Sequence, residues 1–417
     1  METEPGTAPR RGPDTEPYDL ITMGRIGVDL YPLQVGVPLA RVESFGKFLG
    51  GSPSNVAVAA ARLGRRTAVI TRTGADPFGD YLHRELRAFG VDDRWVTPVT
   101  AYPTPVTFCE IFPPDDFPIH FYRQPKAPDL EIHPHELDLA AIRSARAFWV
   151  TGTGLSAEPS RAATLAALRE RDSAGLTVLD LDWRPALWSD PAEAAPLYRA
   201  ALGGATVAVG NLDECEIATG EREPDAAARA LLDAGVRLAV VKQGPKGVLA
   251  LAADGERAEV PPLPVEVVNG LGAGDAFGGA LAHGLLAGWD LERTIRWANA
   301  AGAIVAGRLA CSPAMPYEDE IARALAAGTA SIPERTPPAP HPAPPDHPGG
   351  TDDPGRTDHP APPDRTPRPA ASGRQDHPAP ADRPGHATRP GHSTRPGHAS
   401  DPGHPPRPDG PEQRHGR

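Results

Sequence analysis

Val268-Asn-Gly-Leu-Gly-Ala-Gly-Asp275 is the stretch on which the reading of this chain turns. An apolar strand is expected to run into a glycine turn that ends in one carboxylate, and the small and apolar run Ala276–Leu286 continues as a helix. Gly272, Ala273 and Gly274 then present backbone N–H groups at a helix N-terminus, where the dipole favours anions. Asp275 falls in the first helical turn, a comfortable place for a carboxylate, yet beside a spot that also attracts phosphate. That pairing suits phosphoryl transfer: the carboxylate accepts the proton of an attacking hydroxyl while the N–H groups hold the migrating group. Taken alone, the stretch fits a plain helix start as well, with glycine for flexibility and Asp275 as a cap.

Outward from this stretch, short apolar strands alternate with Ala/Leu-rich helices. Strands are expected at Leu20–Met23, Thr67–Thr71, Ala147–Thr151, Thr177–Asp182, Thr206–Gly210, Leu238–Lys242 and Gly247–Ala252. Helices are expected around Asn55–Leu63 and after Pro159. The pattern reads as an α/β fold with a mainly parallel sheet flanked by helices. Ligands of such sheets gather beyond the carboxyl ends of the strands, where Gly24, Asp182, Asn211, Gly244 and Gly272 recur. Two segments, about 28–48 and 104–123, are rich in Tyr, Phe, Thr, Val and Pro and are expected to form a small antiparallel β lid over the pocket.

Composition sets the boundaries. After Ile332 there is no Ile, Leu, Val, Met, Phe, Tyr or Trp, so residues 333–417 cannot bury a core and are expected to be disordered. Residues 1–17 are polar and Pro-rich, are also expected to be disordered, and contain no apolar segment that reads as a signal peptide. The working body is thus 18–332, long enough for one large α/β domain. Apolar runs stop well short of a membrane span. Three scattered cysteines, Cys109, Cys215 and Cys311, lack metal-ligand spacing and point to a reduced, cytoplasmic setting. A net charge of −12 without a basic stripe argues against nucleic acid.

Two further glycine motifs complete the pattern: Gly50-Gly-Ser-Pro-Ser-Asn55 before a helix, and Gly74-Ala-Asp-Pro-Phe-Gly79 after the next strand. Paired glycines admit close backbone approach to a ligand, and Asn55 offers a donor and an acceptor to a hydroxylated molecule. In this order, on a βαβ background, residues 19–320 resemble the ribokinase-like sugar kinases, the phosphofructokinase B family. The resemblance implies a ribokinase-like fold, with ATP and Mg²⁺ as cofactors and a homodimer formed through the lid. It implies Asp275 as catalytic base, Gly272, Ala273 and Gly274 as anion hole, and Asp29, Gly51 and Asn55 on the sugar. It further implies Asn211 and Glu214 ordering Mg²⁺ and phosphates through water, Lys242, Gly244 and Gly247 along the nucleotide, and Asn299 against the adenine. No direct protein ligand to the metal is assigned.

Departures from the family pattern carry information. Asn269 and Gly270 replace an Asp-Thr pair in a region where relatives hold a monovalent cation, which leaves potassium dependence open. Ser52 stands where ribokinases often have Lys, which argues against ribose. Met23–Leu33, Phe108–Phe117 and Arg308–Ser312 resemble the branch that phosphorylates a deoxy sugar acid in inositol catabolism. A sugar acid needs a cation for its carboxylate. Arg123 and Arg184 are the expected partners; Lys126 leaves the second lid segment with Arg123, and Arg25 ends the first core strand. The alternatives are another sugar or sugar acid, such as 2-keto-3-deoxygluconate or fructose, and a sugar-binding protein without turnover.

Overall fold

Leu20–Met23 (β1) is buried along its whole length because it pairs in parallel with strands on both sides. The structure, a computed structural model, describes residues 16–173 and 175–333. The expected disordered ends, 1–17 and 333–417, lie outside the described residues except for Glu16, Pro17 and Pro333. All described residues belong to one compact unit.

The elements run in chain order as β1, β2 (Gly27–Pro32), β3 (Phe45–Gly50), α1 (Ser52–Arg62), β4 (Thr67–Gly74), α2 (Pro77–Ala88), β5 (Val91–Val99), β6 (Val106–Cys109) and β7 (Ile119–Tyr122). They continue with α3 (Leu139–Ser144), β8 (Ala147–Thr151), α4 (Ser160–Arg171), β9 (Leu176–Asp180), α5 (Ala194–Leu202), β10 (Val207–Asn211), α6 (Leu212–Thr219) and α7 (Pro224–Asp233). The last are β11 (Leu238–Lys242), β12 (Val248–Ala252), β13 (Arg257–Val260), α8 (Ala273–Ala287), α9 (Leu291–Ala306) and α10 (Glu318–Ala327).

A 9-stranded sheet has the order β13-β12-β11-β10-β9-β8-β1-β4-β5 and is parallel except where β12 and β13 turn back. Strand order reverses direction between β1 and β8, and residues at the carboxyl ends of β1, β9, β10 and β11 line one cavity there. One apolar core joins α1, α8 and α9 to a face of this sheet; a second lies on the opposite face with α4 to α7.

The lid exists as a 4-stranded sheet, β3-β2-β6-β7. Contrary to expectation it is mixed rather than antiparallel, because β2 and β6 run parallel. The chain reaches β6 through the core elements α1 to β5, not by a hairpin from β2, so it enters in the same direction. A second expectation also fails: among the described residues no strand runs directly into the glycine turn. Pro261, Pro262 and Pro264 follow β13 and withhold the donors a ladder needs. Val268 and Asn269 donate instead to the Ala306 carbonyl at the end of α9.

The helix that follows is apolar almost all round because it is enclosed: Ala276 through Gly284 are all buried. At Gly279 it packs on α1 with no side chain of its own. A Cβ at Gly279 would collide with the Ala59 methyl and lie 2.9 Å from the Ala60 nitrogen and 3.0 Å from the Val56 carbonyl oxygen. This close approach brings the start of α1 against the start of α8. Gly279→Ala gains about 1 kcal/mol of helix propensity but overpacks backbone against backbone, which costs about 1–3 kcal/mol. Urea unfolding should therefore show a net loss of stability, whereas a neutral or stabilising result would mean that the two helices can separate at no cost.

Candidate active site

Gly272 caps α8 with φ of 81°, a left-handed conformation, and a Cβ there would lie 2.5 Å from the Cys311 sulfur. Only glycine meets both conditions. The first turn of α8 therefore opens onto the cleft with its N–H groups unobstructed, and Asp275 stands in that turn. Burial raises the Asp275 carboxyl above its ordinary range, while donors from Ser52 and Asn55 and the charge of Arg25 act to lower it. Asn55 Nδ2 donates to Asp275 Oδ2 at 2.8 Å, a contact between residues 220 apart in sequence.

Asp275 faces a cavity of about 240 Å³ that Arg25, Asp29, Gly51, Asn55, Asp182 and Arg184 also line. Arg25 approaches Asp182 through Nη2 at 2.9 and 3.1 Å and through Nε at 3.3 Å. Asp182 also receives Thr153 Oγ1 at 3.2 Å and lies 3.2 Å from Arg184. Burial opposes its charge, but Arg25 and Arg184 outweigh that and hold the carboxyl below its usual range. Its φ of 31° is a strained value for a non-glycine residue, borne where three donors converge. Asp29 is different: burial pushes it up to about 7 against the Tyr31 hydroxyl, which donates at 3.1 Å. Asp180, on the same side of its segment as Asp182, is pushed up to about 8, chiefly by burial.

At the far wall, Asn211 and Glu214 cap the start of α6 reciprocally. Asn211 Oδ1 accepts from the Glu214 backbone at 2.9 Å and Glu214 Oε2 from the Asn211 backbone at 2.7 Å. Glu214 Oε1 stays within 3.8 Å of Arg184. Burial acts against the charge of Lys242, but Glu214 and Asp180 raise its ammonium above the usual range.

Lys242, Gly270 and Gly274 also wall a second, more apolar cavity of about 500 Å³. Gly244, Gly247 and Ala273 edge it, Val265, Phe277 and Ala303 supply apolar surface, and Asn299 stands at its rim, donating to the Pro261 carbonyl at 2.7 Å. Asn269 is fully buried and turned inward: Nδ2 donates to the Leu309 carbonyl at 2.7 Å and Oδ1 accepts from Leu271 at 3.0 Å.

The structure thus gathers Asp29, Gly51, Asn55, Arg184, Asn211, Glu214, Lys242, Gly272, Gly274 and Asp275 about one cavity, and Ala273, Gly244, Gly247 and Asn299 about its neighbour. Arg123 is placed apart from these. It pairs with the buried Asp129 and lines a separate cavity of about 320 Å³ that meets the first only at Arg25 and Phe121. Lys126 is likewise taken up, by Glu131 and by the Glu158 carbonyl. Sequence reading passed over Asp180, Tyr31 and Ser312 as site residues. The alternation Asp180-Leu-Asp182 at a strand end puts two carboxylates on one face and could have signalled the first.

A carboxylate on a helix N-terminus between a polar and an apolar cavity suits phosphoryl transfer, and the chain belongs to the pfkB family of carbohydrate kinases, whose sequence profile matches residues 19–318. It is 36% identical over 310 residues to a 5-dehydro-2-deoxygluconokinase of Photobacterium profundum, covering 73% of this chain and 93% of that protein. It is 33% identical over 308 residues to the enzyme of that name from Shouchella clausii, with 73% and 94% covered. Among solved structures it resembles a putative ribokinase II from E. coli in complex with ATP and Mg²⁺, at a TM-score of 0.68 and 25% identity over 74% of this chain and 99% of the other. A Vibrio cholerae fructokinase double mutant with fructose, ADP and potassium bound matches at a TM-score of 0.65 and 27% identity, with 75% and 99% covered.

The Arg25–Asp182 pair is open to a stability test. Arg25→Met leaves the buried Asp182 with only Arg184 and Thr153 and should cost up to about 3–5 kcal/mol in urea unfolding, while Arg25→Met with Asp182→Leu should regain most of it. Equal losses in the single and double variants would mean that the pair contributes packing rather than charge compensation.

Proposed function

We propose that this chain transfers the γ-phosphoryl group of ATP to the 6-hydroxyl of 5-dehydro-2-deoxy-D-gluconate, in the cytoplasm, as a step of inositol catabolism. The observation that carries the chemistry is the buried Asp275 at the N-terminus of α8, between a polar cavity and an apolar slot. The names of the relatives support the substrate.

In this reading Asp275 takes the hydroxyl proton as the oxygen attacks the γ-phosphorus, and its raised carboxyl makes it a better base than an ordinary aspartate. The N–H groups of Gly272, Ala273 and Gly274 bear the developing phosphoryl charge. Asp29, Gly51 and Asn55 hold sugar hydroxyls, and Arg184, which lines the Asp275 cavity, meets the carboxylate. Lys242, Gly244 and Gly247 run beside the phosphates, and the apolar slot edged by Asn299 receives the adenine.

Among the described residues no cluster of three or more His, Cys, Asp or Glu side chains could hold a metal ion. Part of the Asn211 and Glu214 donor set is spent on their mutual cap. Such a set fits Mg²⁺ that arrives on the ATP phosphates and keeps its waters, there neutralising phosphate charge. A homodimer through the lid belongs to the same proposal: its outer face carries the aromatic contacts Phe45–Phe108 and Phe108–Tyr122, with Tyr122 63% exposed.

Asp275→Asn should keep the fold and nucleotide binding and lose on the order of 10²–10⁴ in kcat; a kcat within about threefold of wild type would remove the base from Asp275. Arg184→Ala should lose about ten- to a hundredfold in kcat/KM on the sugar acid but far less on fructose, the worth of one charged hydrogen bond. Arg123→Ala should instead lower Tm, because it leaves the buried Asp129 with the Ile26 N–H but without its charged partner. The opposite division between the two arginines would place the acid end of the substrate in the neighbouring cavity.

A further inference from the structure

Ser312 follows α9 in the short helical turn Ser312–Ala314 and is fully buried. Its hydroxyl oxygen lies 2.5 Å from Asn55 Oδ1 and 2.6 Å from the Leu49 carbonyl oxygen. Both are acceptors, and a hydroxyl has one proton, so Ser312 serves only one of them at a time. The other end of the same amide, Nδ2, donates to Asp275 Oδ2. Reversing the amide removes the conflict. Nδ2 then donates to Ser312 Oγ, Ser312 donates to Leu49, and Asn55 Oδ1 faces Asp275 Oδ2. Two oxygens at 2.8 Å need a proton between them, so the reversed amide requires a protonated Asp275.

We propose that Ser312 is a positioning residue that lets the Asn55 amide follow the protonation state of Asp275, favouring the protonated base by one hydrogen bond. The proposal rests on the assignment of Asp275 as base. As the sugar oxygen forms its bond to the γ-phosphorus, its proton passes to the Asp275 carboxylate. The bond from that phosphorus to the β–γ bridging oxygen breaks, and its electron pair leaves with ADP. Before transfer, Asn55 Nδ2 steadies the carboxylate and the Leu49 carbonyl goes without the serine proton. After transfer, the reversed amide accepts the new Oδ2–H, and both Ser312 and Leu49 are satisfied.

The other groups facing Asp275 are Arg25 after β1, Asp29 on β2, Asp180 and Asp182 at the end of β9, Lys242 on β11 and the Cys311 thiol. Ser52 on α1 adds a donor to the same carboxyl. A change at Ser312 leaves all of them in place, so their influence is common to wild type and variant.

The test is kcat against pH with saturating ATP and 5-dehydro-2-deoxygluconate for wild type, Ser312→Ala and Ser312→Thr. Ser312→Ala removes one bond from the ionised state and two from the protonated one. Its acid limb should move down by about half a pH unit to one unit, the size of one hydrogen bond. Ser312→Thr, which keeps the hydroxyl, should return the limb towards wild type. If Ser312→Ala fails to fold, Ser312→Cys, a weaker donor, should show the same downward shift. A reduced plateau with an unmoved limb, or an upward shift, would overturn the proposal. An Asp275→Asn variant that stays active would remove the base assignment, and this proposal with it, and so identifies that failure separately.

Discussion

The contact on which the rest of this molecule depends is the close crossing of α1 and α8. Gly279 lets the two backbones approach within the space of a missing methyl group, and the N-terminal ends of both helices meet as a result. Asn55 and Ser52 from one helix then hold Asp275 of the other. Each helix start carries its own glycine feature, Gly51 before α1 and Gly272 before α8. Backbone N–H groups, a desolvated carboxylate and its donors thereby converge without any loop having to fold over them.

Charge is arranged around that contact by burial rather than by pairing alone. Asp182, with Arg25 and Arg184 beside it, stays charged, whereas Asp29 and Asp180 are pushed up to about 7 and about 8. The carboxylates of one cavity therefore have different tendencies to hold a proton near neutrality. Both of the carboxyls that are pushed up line the cavity that Asp275 faces. This division fits a site that handles a polyhydroxylated acid and a polyphosphate in adjoining compartments.

The sheet was largely legible because buried parallel strands read as short apolar runs: β1, β8 and β11 have the ends expected of them. The lid was legible as extended chain but not in its direction, since the β2–β6 pairing depends on a path through the core. The strand expected before Gly272 failed because three prolines outweighed the apolar pattern. Of the site, the glycine turn and Asp275 were visible in local spacing, but the Asn55–Asp275 contact joins segments that only the fold brings together. The pairing of Arg123 was hidden in the same way: the cation leaving the lid was visible in the sequence, but its partner Asp129, six residues on, was not.

The most direct test of the account is the titration of the Asp275 carboxyl itself, followed by ¹³C NMR of aspartate-labelled protein with the resonance assigned through Asp275→Asn. The account predicts a midpoint above the ordinary aspartate value of about 3.9, because burial outweighs the donors from Ser52 and Asn55. A midpoint at or below that value would contradict it: the helix N-terminus and its donors would then hold Asp275 as a permanently charged cap.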